Sequence, residues 1–581
     1  MRHISLVAGV VALALHLVIA IPAGATIGPM AQDTPGSLSQ TGTDQISTAD
    51  VTPTQTDPAE NDSTLADPNE DVLGWEDGYW YNESVSVDQS DGLNESELAA
   101  VVSRSMARVE EVRGLEFQDR VPVDIISRDE YQTDNAARFE NTSDRFRVHQ
   151  NTKFEALFFV NESTDAVAVQ ESTRGATVLG FYSPSDDQIT IVSENTTSPR
   201  MDEITLSQEL FHALQGQVFN AYEQEYYPGT TREENNAING LIEGDGNYVD
   251  QLYQERCEAD WDCLLPQNTG GGGGGDVNIG INVLNLPGYT EGPEFVQQLY
   301  EQDGWEAVND LYDQPPASTE QYIDTSSYPD EAPADFSVDD RSADDWEVLE
   351  LEGNDSVNYA EFGQAGLFTM LWYATYEETV ATQTRATVGD LSYSDLFETN
   401  QQGEIKDIGG YNYSHPAVSG FAGDRLLPYV PDQNASRSEA GYVWELRWDT
   451  PDDAQAFRTS YQELLEYRGA TEVDQREETY RIPDEAGFGD AFYLTQQDNT
   501  VTIVNAPTVD DLSGIFEGAA PESTAGTAGD NGTENTDETD ETENTDETAT
   551  NDADDGGPGF TIGLGLIALI AAILVAVRRR N

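Results

Sequence analysis

The chain has 581 residues, 109 of them acidic and 27 basic, for a formal net charge of −82, and its only lysines are Lys153 and Lys406. With no basic patch to neutralise phosphates, nucleic acid is excluded as a partner. Such self-repulsion opposes a compact state in dilute buffer but is screened at molar salt, where the Debye length is about 3 Å, so the composition points to a halophilic protein.

At the N-terminus, Arg2 precedes an apolar run from Ile4 to Ile21, and Ala23-Gly24-Ala25 supplies a small-residue cleavage pattern. Residues 1–25 therefore read as a secretory signal peptide, with a retained anchor as the other reading of the same run. Residues 26–72 are rich in Thr, Ser, Asp, Gln and Pro without periodicity and read as a disordered leader. Folded sequence follows, divided into a first domain over 73–330 and an α+β region over 331–517.

Within the first part, helical spacing of Leu98, Val101, Val102, Met106, Val109 and Val112 predicts a helix over 95–113, with Ser96 as N-cap. Val121–Ile126 reads as a strand, and Thr177–Tyr182 with Gln188–Val192 as a hairpin. Two helices are expected next, over about 202–219 and 233–256. Cys257 and Cys263, the only cysteines, are spaced to close a small disulfide loop in an oxidising exterior. A run of glycines over 270–275 is a loop. Beyond it, helices are expected over 294–312 and within 359–376, then strands and a helix over 417–506.

Residues 518–557 form an acidic, Thr- and Asn-rich stretch that cannot bury a core and reads as a disordered stalk. Pro558, Gly559 and Phe560 then open an apolar run to Val577, followed by Arg578-Arg579-Arg580. Eighteen helical residues rise about 27 Å, enough for one transmembrane helix across a thin bilayer core, with the arginines cytoplasmic. This end resembles the PGF-CTERM sorting signal of haloarchaeal surface proteins. The resemblance implies a processing archaeosortase that exchanges the helix for a lipid, and a mature protein on the outer face of the membrane, in the S-layer region. Candidate glycosylation sequons at Asn82, Asn94, Asn141, Asn161, Asn195, Asn354, Asn412 and Asn434, with further ones at Asn61 and Asn531, suit an exported glycoprotein.

The stretch with the most chemistry is Leu206-Ser-Gln-Glu-Leu-Phe-His-Ala-Leu-Gln215. On a helix, Gln208 and His212 share a face one turn apart, with Glu209 beside them. The zinc-protease motif H-E-x-x-H needs this geometry: two imidazoles hold the metal and the glutamate deprotonates the bound water. Here Gln208 stands where the first histidine belongs. Glu243 follows in Leu241-Ile-Glu-Gly-Asp245, on the next expected helix.

With the hairpin ahead of it, this arrangement resembles the gluzincins, whose third zinc ligand is a glutamate. It is also similar to haloarchaeal surface proteins that read H-E-L-V-H-A-L-Q-D-Q at this place. Those relatives carry a Pro-Pro-x-Ser-Thr-Glu-Gln segment, here Pro315–Gln321, followed by a histidine where this chain has Asp324. They also carry a Gly-Trp-Gly-Gly-Asp-Arg stretch, here Gly420–Arg425.

The resemblance implies an α+β fold with a zincin-like domain: an edge-strand hairpin, an active-site helix and a second ligand helix. It assigns Glu209 as base and Gln208, His212 and Glu243 as metal ligands. A neutral amide is a poor substitute for imidazole on zinc, so the expected function is a surface-anchored protein whose metallopeptidase-like domain has lost catalysis. It would act structurally or bind a peptide or another envelope component, with no cofactor. The alternative is an active membrane-tethered zinc endopeptidase using the same four residues.

Overall fold

The computed structural model describes residues 66–523, apart from 141, 194, 197–198, 224–228, 266–276, 344, 352–356, 383, 402–404 and 407–409. The signal peptide, most of the leader, the glycine run, the stalk, Pro558-Gly559-Phe560 and the C-terminal apolar run lie outside the described residues. Among the described residues, no helix is long and apolar enough to cross a membrane.

A short ribbon, β1 (Trp75–Glu76) and β2 (Tyr79–Trp80), leads into α1 (Glu95–Arg113). The N-cap of α1 is Asn94, not Ser96. Its side chain accepts from the Ser96 and Glu97 backbone N–H groups while Glu97 reaches back to the Asn94 N–H, a reciprocal cap that starts the helix at Glu95. Then come β3 (Val123–Ser127), α2 (Arg128–Phe139), α3 (Asp144–Ala156) and α4 (Ala166–Thr177). The hairpin is β4 (Gly180–Ser183) and β5 (Gln188–Ser193). Its first strand is shorter than expected because Thr177 and its predecessors belong to α4, which still holds the Val178 N–H at its C-cap.

Two long helices follow, α5 (Glu203–Phe219) and α6 (Arg232–Ala259), and Cys257 pairs with Cys263 just past the end of α6. Next are α7 (Ile279–Leu284), α8 (Pro287–Thr290), α9 (Gly292–Asp303), α10 (Trp305–Asp313) and α11 (Glu320–Ile323). The helix expected over 294–312 is two helices, broken at Gly304, whose φ of 70° lies in the left-handed region.

The C-terminal part comprises β6 (Glu347–Val348), α12 (Gly363–Thr382), β7 (Thr387–Val388) and β8 (Leu391–Ser392), then β9 (Phe421–Val430) and β10 (Gly441–Trp448). It closes with α13 (Pro451–Tyr467), β11 (Thr471–Glu472), β12 (Thr479–Arg481), β13 (Ala491–Gln497), β14 (Thr500–Ala506) and α14 (Leu512–Ile515).

The fold is mixed α+β. One sheet has the order β11-β12-β13-β14-β10-β9-β6, antiparallel throughout, and α13 packs Phe457, Tyr461, Leu464 and Leu465 against it. The other is small, with the order β3-β5-β4, in which β3 runs parallel and β4 antiparallel to β5. The largest apolar core joins Phe154–Val160 and Ile281–Leu284 to α12 and the inner face of the large sheet. A second core, with Leu206, Leu210, Phe211 and Leu214 of α5, lies between the small sheet, α1 and α6.

Two segments singled out in the sequence turn out to anchor helix starts. Thr319, in the Pro315–Gln321 segment, donates from its backbone N–H (2.6 Å) and hydroxyl (3.0 Å) to Glu233 in the first turn of α6. Asp424, in the Gly420–Arg425 segment, accepts from the Phe362 and Gly363 N–H groups at the start of α12 and from Trp444 Nε1. Asp324 sits at the surface and accepts from the Ser326 N–H and hydroxyl.

Candidate functional site

The motif helix α5 is held by its first residue. Glu203 is fully buried and accepts from Arg104 (2.8 Å) and Arg108 (2.6 Å) of α1, the Tyr253 hydroxyl of α6 (2.7 Å) and the Leu264 N–H (2.7 Å). Charge-assisted bonds of this kind satisfy an otherwise costly buried carboxylate and lock three segments together. Arg108 also touches Cys263 Sγ at 3.5 Å, so the disulfide loop closes over the same hub.

The helices α5 and α6 bring His212 and Glu243 together, with Nε2 and Oε2 3.4 Å apart and both side chains nearly inaccessible. Gln208 and Glu209 are buried beside them. No hydrogen bond reaches Gln208 Nε2, either Glu209 carboxylate oxygen, His212 Nε2 or Glu243 Oε2. Buried polar atoms are rarely left without partners, and five of them meet at one place. The Tyr182 backbone N–H of β4 faces Glu209 without completing a hydrogen bond. A Cβ on Gly180 would come within 3.2 Å of Glu209 Oε1, so glycine gives β4 its close approach to the motif helix.

The protonation of His212 follows from its neighbours. Gln215 Nε2 donates to the Ile242 carbonyl (2.9 Å), which can only accept, so the amide orientation is set by the backbone. Gln215 Oε1 then faces His212 Nδ1 at 2.8 Å, and Nδ1 must carry a proton. In the neutral ring, the Nε2 lone pair therefore points at the Glu243 carboxylate. Two lone pairs at 3.4 Å repel unless an electrophile lies between them. Burial by itself lowers the His212 pKa, but the charge of the Glu243 carboxylate beside it, with Glu209 behind, raises it to about 9, so that below this pH the electrophile is a proton on Nε2. Burial raises the Glu209 carboxyl to about 7, with Glu243 adding to the shift and His212 opposing it.

Residues that sequence reasoning missed complete the shell. Tyr289 donates to Glu243 Oε1 at 2.8 Å. Gln215 Nε2 also reaches the Tyr312 hydroxyl (2.7 Å), which donates to Asp245 (2.8 Å), itself paired with Arg113 at 3.0 Å. Asp250 accepts from Ser207 at 3.1 Å, and the Tyr222 ring lies edge-on to His212 with centroids 6.5 Å apart. Of these only Gln215, three residues after His212 and so on the same helix face, was visible in the sequence as a neighbour.

The donor set for a metal is one imidazole, one carboxylate and a neutral amide. A tetrahedral zinc site spaces adjacent ligand atoms about 3.4 Å apart, so His212 and Glu243 suit two of its corners. Gln208 leaves the third weak. Among the described residues, no group of three or more His, Cys, Asp or Glu side chains is arranged to hold a metal ion.

Among the glycosylation candidates, Asn82, Asn94, Asn195 and Asn434 are exposed, and Asn161 and Asn412 are half-buried. Asn141 and Asn354 lie outside the described residues.

No curated protein and no solved structure matches the chain. A family described as a domain of unknown function, DUF8575, matches residues 348–515, a span that begins after both motif helices and holds α12, α13 and strands β9 to β14 of the large sheet.

Proposed function

We propose that this protein is a halophilic cell-surface protein, anchored by its C-terminal end, whose zincin-like domain over 73–330 retains the frame of a metallopeptidase site without its catalysis. The observation that carries the reading is the convergence of Glu209, His212 and Glu243 from two helices, all buried with open hydrogen-bonding capacity, around a glutamine in the first ligand position. The inherited cleft serves as a peptide-binding site. In support, β4 is an edge strand of its sheet, next to the motif helix, and such an edge can add an extended peptide by main-chain pairing.

A second reading, an active tethered zinc endopeptidase, is favoured by the 3.4 Å spacing of His212 Nε2 and Glu243 Oε2. Incubation with casein-derived peptides and zinc in molar salt separates the two. The proposal expects binding without cleavage, and turnover that depends on Glu209 would overturn it. The anchoring claim has its own test: deleting residues 558–581 should release the protein into the medium. Continued cell association of the truncated chain would contradict it.

A further inference from the structure

Asn161, in the turn between α3 and α4, differs from the other glycosylation candidates in its surroundings. Its Oδ1 accepts from the hydroxyls of Ser163 (2.8 Å) and Thr164 (2.6 Å), and among the described residues its Nδ2 makes no hydrogen bond. Nδ2 is the atom to which a glycan is joined in an Asn-x-Ser sequon. At Asn412, the other half-buried candidate, the same nitrogen donates to Glu398 Oε1 at 3.5 Å. Asn161 Nδ2 lies 3.7 Å from where a Cβ on Gly487 would stand, so glycine keeps the space beside it open.

Gly487 follows Ala486, which lines a cavity of about 490 Å³ together with Tyr467, Arg468, Glu378, Arg385 and Thr387. The segment carrying Asn161 is pinned to the same wall. Arg468 donates from Nη2 to the Phe158 carbonyl (3.4 Å) and lies 4.9 Å from the Phe488 ring centroid, and the Phe158 and Phe488 rings meet edge-on with centroids 5.2 Å apart. Arg385 is exposed and donates to Ser392 Oγ at 3.2 Å, and among the described residues no carboxylate pairs with it. Glu378 accepts from the Tyr467 hydroxyl at 3.3 Å. The volume is that of a small-molecule site. A sugar presents hydroxyls that donate and accept, and an apolar ring face. Guanidinium N–H groups, a carboxylate, a threonine hydroxyl and a tyrosine ring answer both. A second cavity, of about 760 Å³, begins at Thr164 but is more apolar, with Val169, Ile279 and Val380 on its walls.

We propose that Asn161 is N-glycosylated and that its glycan lies in the smaller cavity, hydrogen-bonded by Arg385 and Glu378 and packed on Tyr467. The inference rests on the reading of the chain as an exported surface protein. The attachment point belongs to the first domain, whereas the cavity residues belong to the C-terminal part, so the sugars tie the two together.

The test uses the full chain isolated from its native cells. Mass spectrometry should find a glycan on the peptide containing Asn161. Ser163→Ala, which destroys the sequon, should lower the thermal midpoint by several degrees, and Ser163→Thr, which keeps it, should not. In an Arg385→Ala background the Ser163→Ala effect should be much smaller, because the seat is already lost. A bare Asn161 beside glycosylated Asn82 or Asn434 overturns the inference and leaves the surface reading standing, while a chain bare at every sequon counts against both. A glycosylated Asn161 with purely additive effects of Ser163→Ala and Arg385→Ala overturns the seating in the cavity. Should Ser163→Ala not fold, crystals of the native glycoprotein decide: sugar ordered against Arg385 supports the proposal, and sugar directed into solvent overturns it.

Discussion

At the residue scale, Gln215 is the side chain that settles which nitrogen of His212 faces Glu243. Its Nε2 is committed to the Ile242 carbonyl and its Oε1 to His212 Nδ1. Above about pH 9, where the ring is neutral, Gln215→Leu should therefore let it populate both tautomers, seen in nitrogen-15 spectra of His212 as a loss of the Nδ1–H form. An unchanged tautomer would show that Gln215 does not orient the ring. The motif itself was legible: Glu209, His212 and Glu243 could be named from helical spacing and resemblance, and the fold brings them together. Tyr289, Tyr312 and Asp245 were not, because their contacts with the site span sequence separations that no local periodicity encodes. The same holds for Glu203, a buried hub whose partners on α1 and α6 are equally remote in sequence.

At the element scale, glycines determine how closely α6 meets its neighbours. A Cβ on Gly244 would lie 2.8 Å from the Gly292 carbonyl of α9, and one on Gly240 would lie 2.2 Å from the Tyr322 ring. At Gly244 the contact is backbone against backbone, which leaves no flexible side chain to move aside. Gly244→Ala should push α9 away from α6, one residue from Glu243, and cost about 1–3 kcal/mol, as overpacking does in a tight core. A thermal midpoint equal to the native value would contradict this packing account. The helices were readable as amphipathic stretches, yet their ends shifted where a cap or a left-handed glycine intervened, as at Asn94 and Gly304. Of the small sheet, the sequence showed a strand and a separate hairpin but not their pairing, because β3 joins β5 across three helices and β4.

At the scale of the whole molecule, the fold buries many carboxyls in the form that favours the proton. Burial raises Glu233, Glu291 and Glu320 to about 8, and Asp424, Asp490 and Glu110 to about 7. A folded-state pKa above the unfolded one contributes stability that is present below the unfolded value and is lost as pH rises through the folded value. At constant molar salt, the thermal midpoint should therefore fall from about pH 5 to about pH 8. Burial lowers Lys153 and His149 in the opposite sense, but they are outnumbered. A midpoint that rises across that window would contradict the assignment. Lowering salt at fixed pH should also unfold the chain, since the net charge of −82 is then unscreened.

The central claim is that the Gln208 position has silenced an otherwise preserved site, and zinc stoichiometry tests it most directly. Protein purified in molar salt, supplied with zinc and desalted into the same salt should retain far less than one zinc per chain. Gln208→His should retain markedly more, because it restores an imidazole one helical turn from His212, beside Glu243. One tightly held zinc in the native chain, unchanged by Gln208→His, would contradict the account.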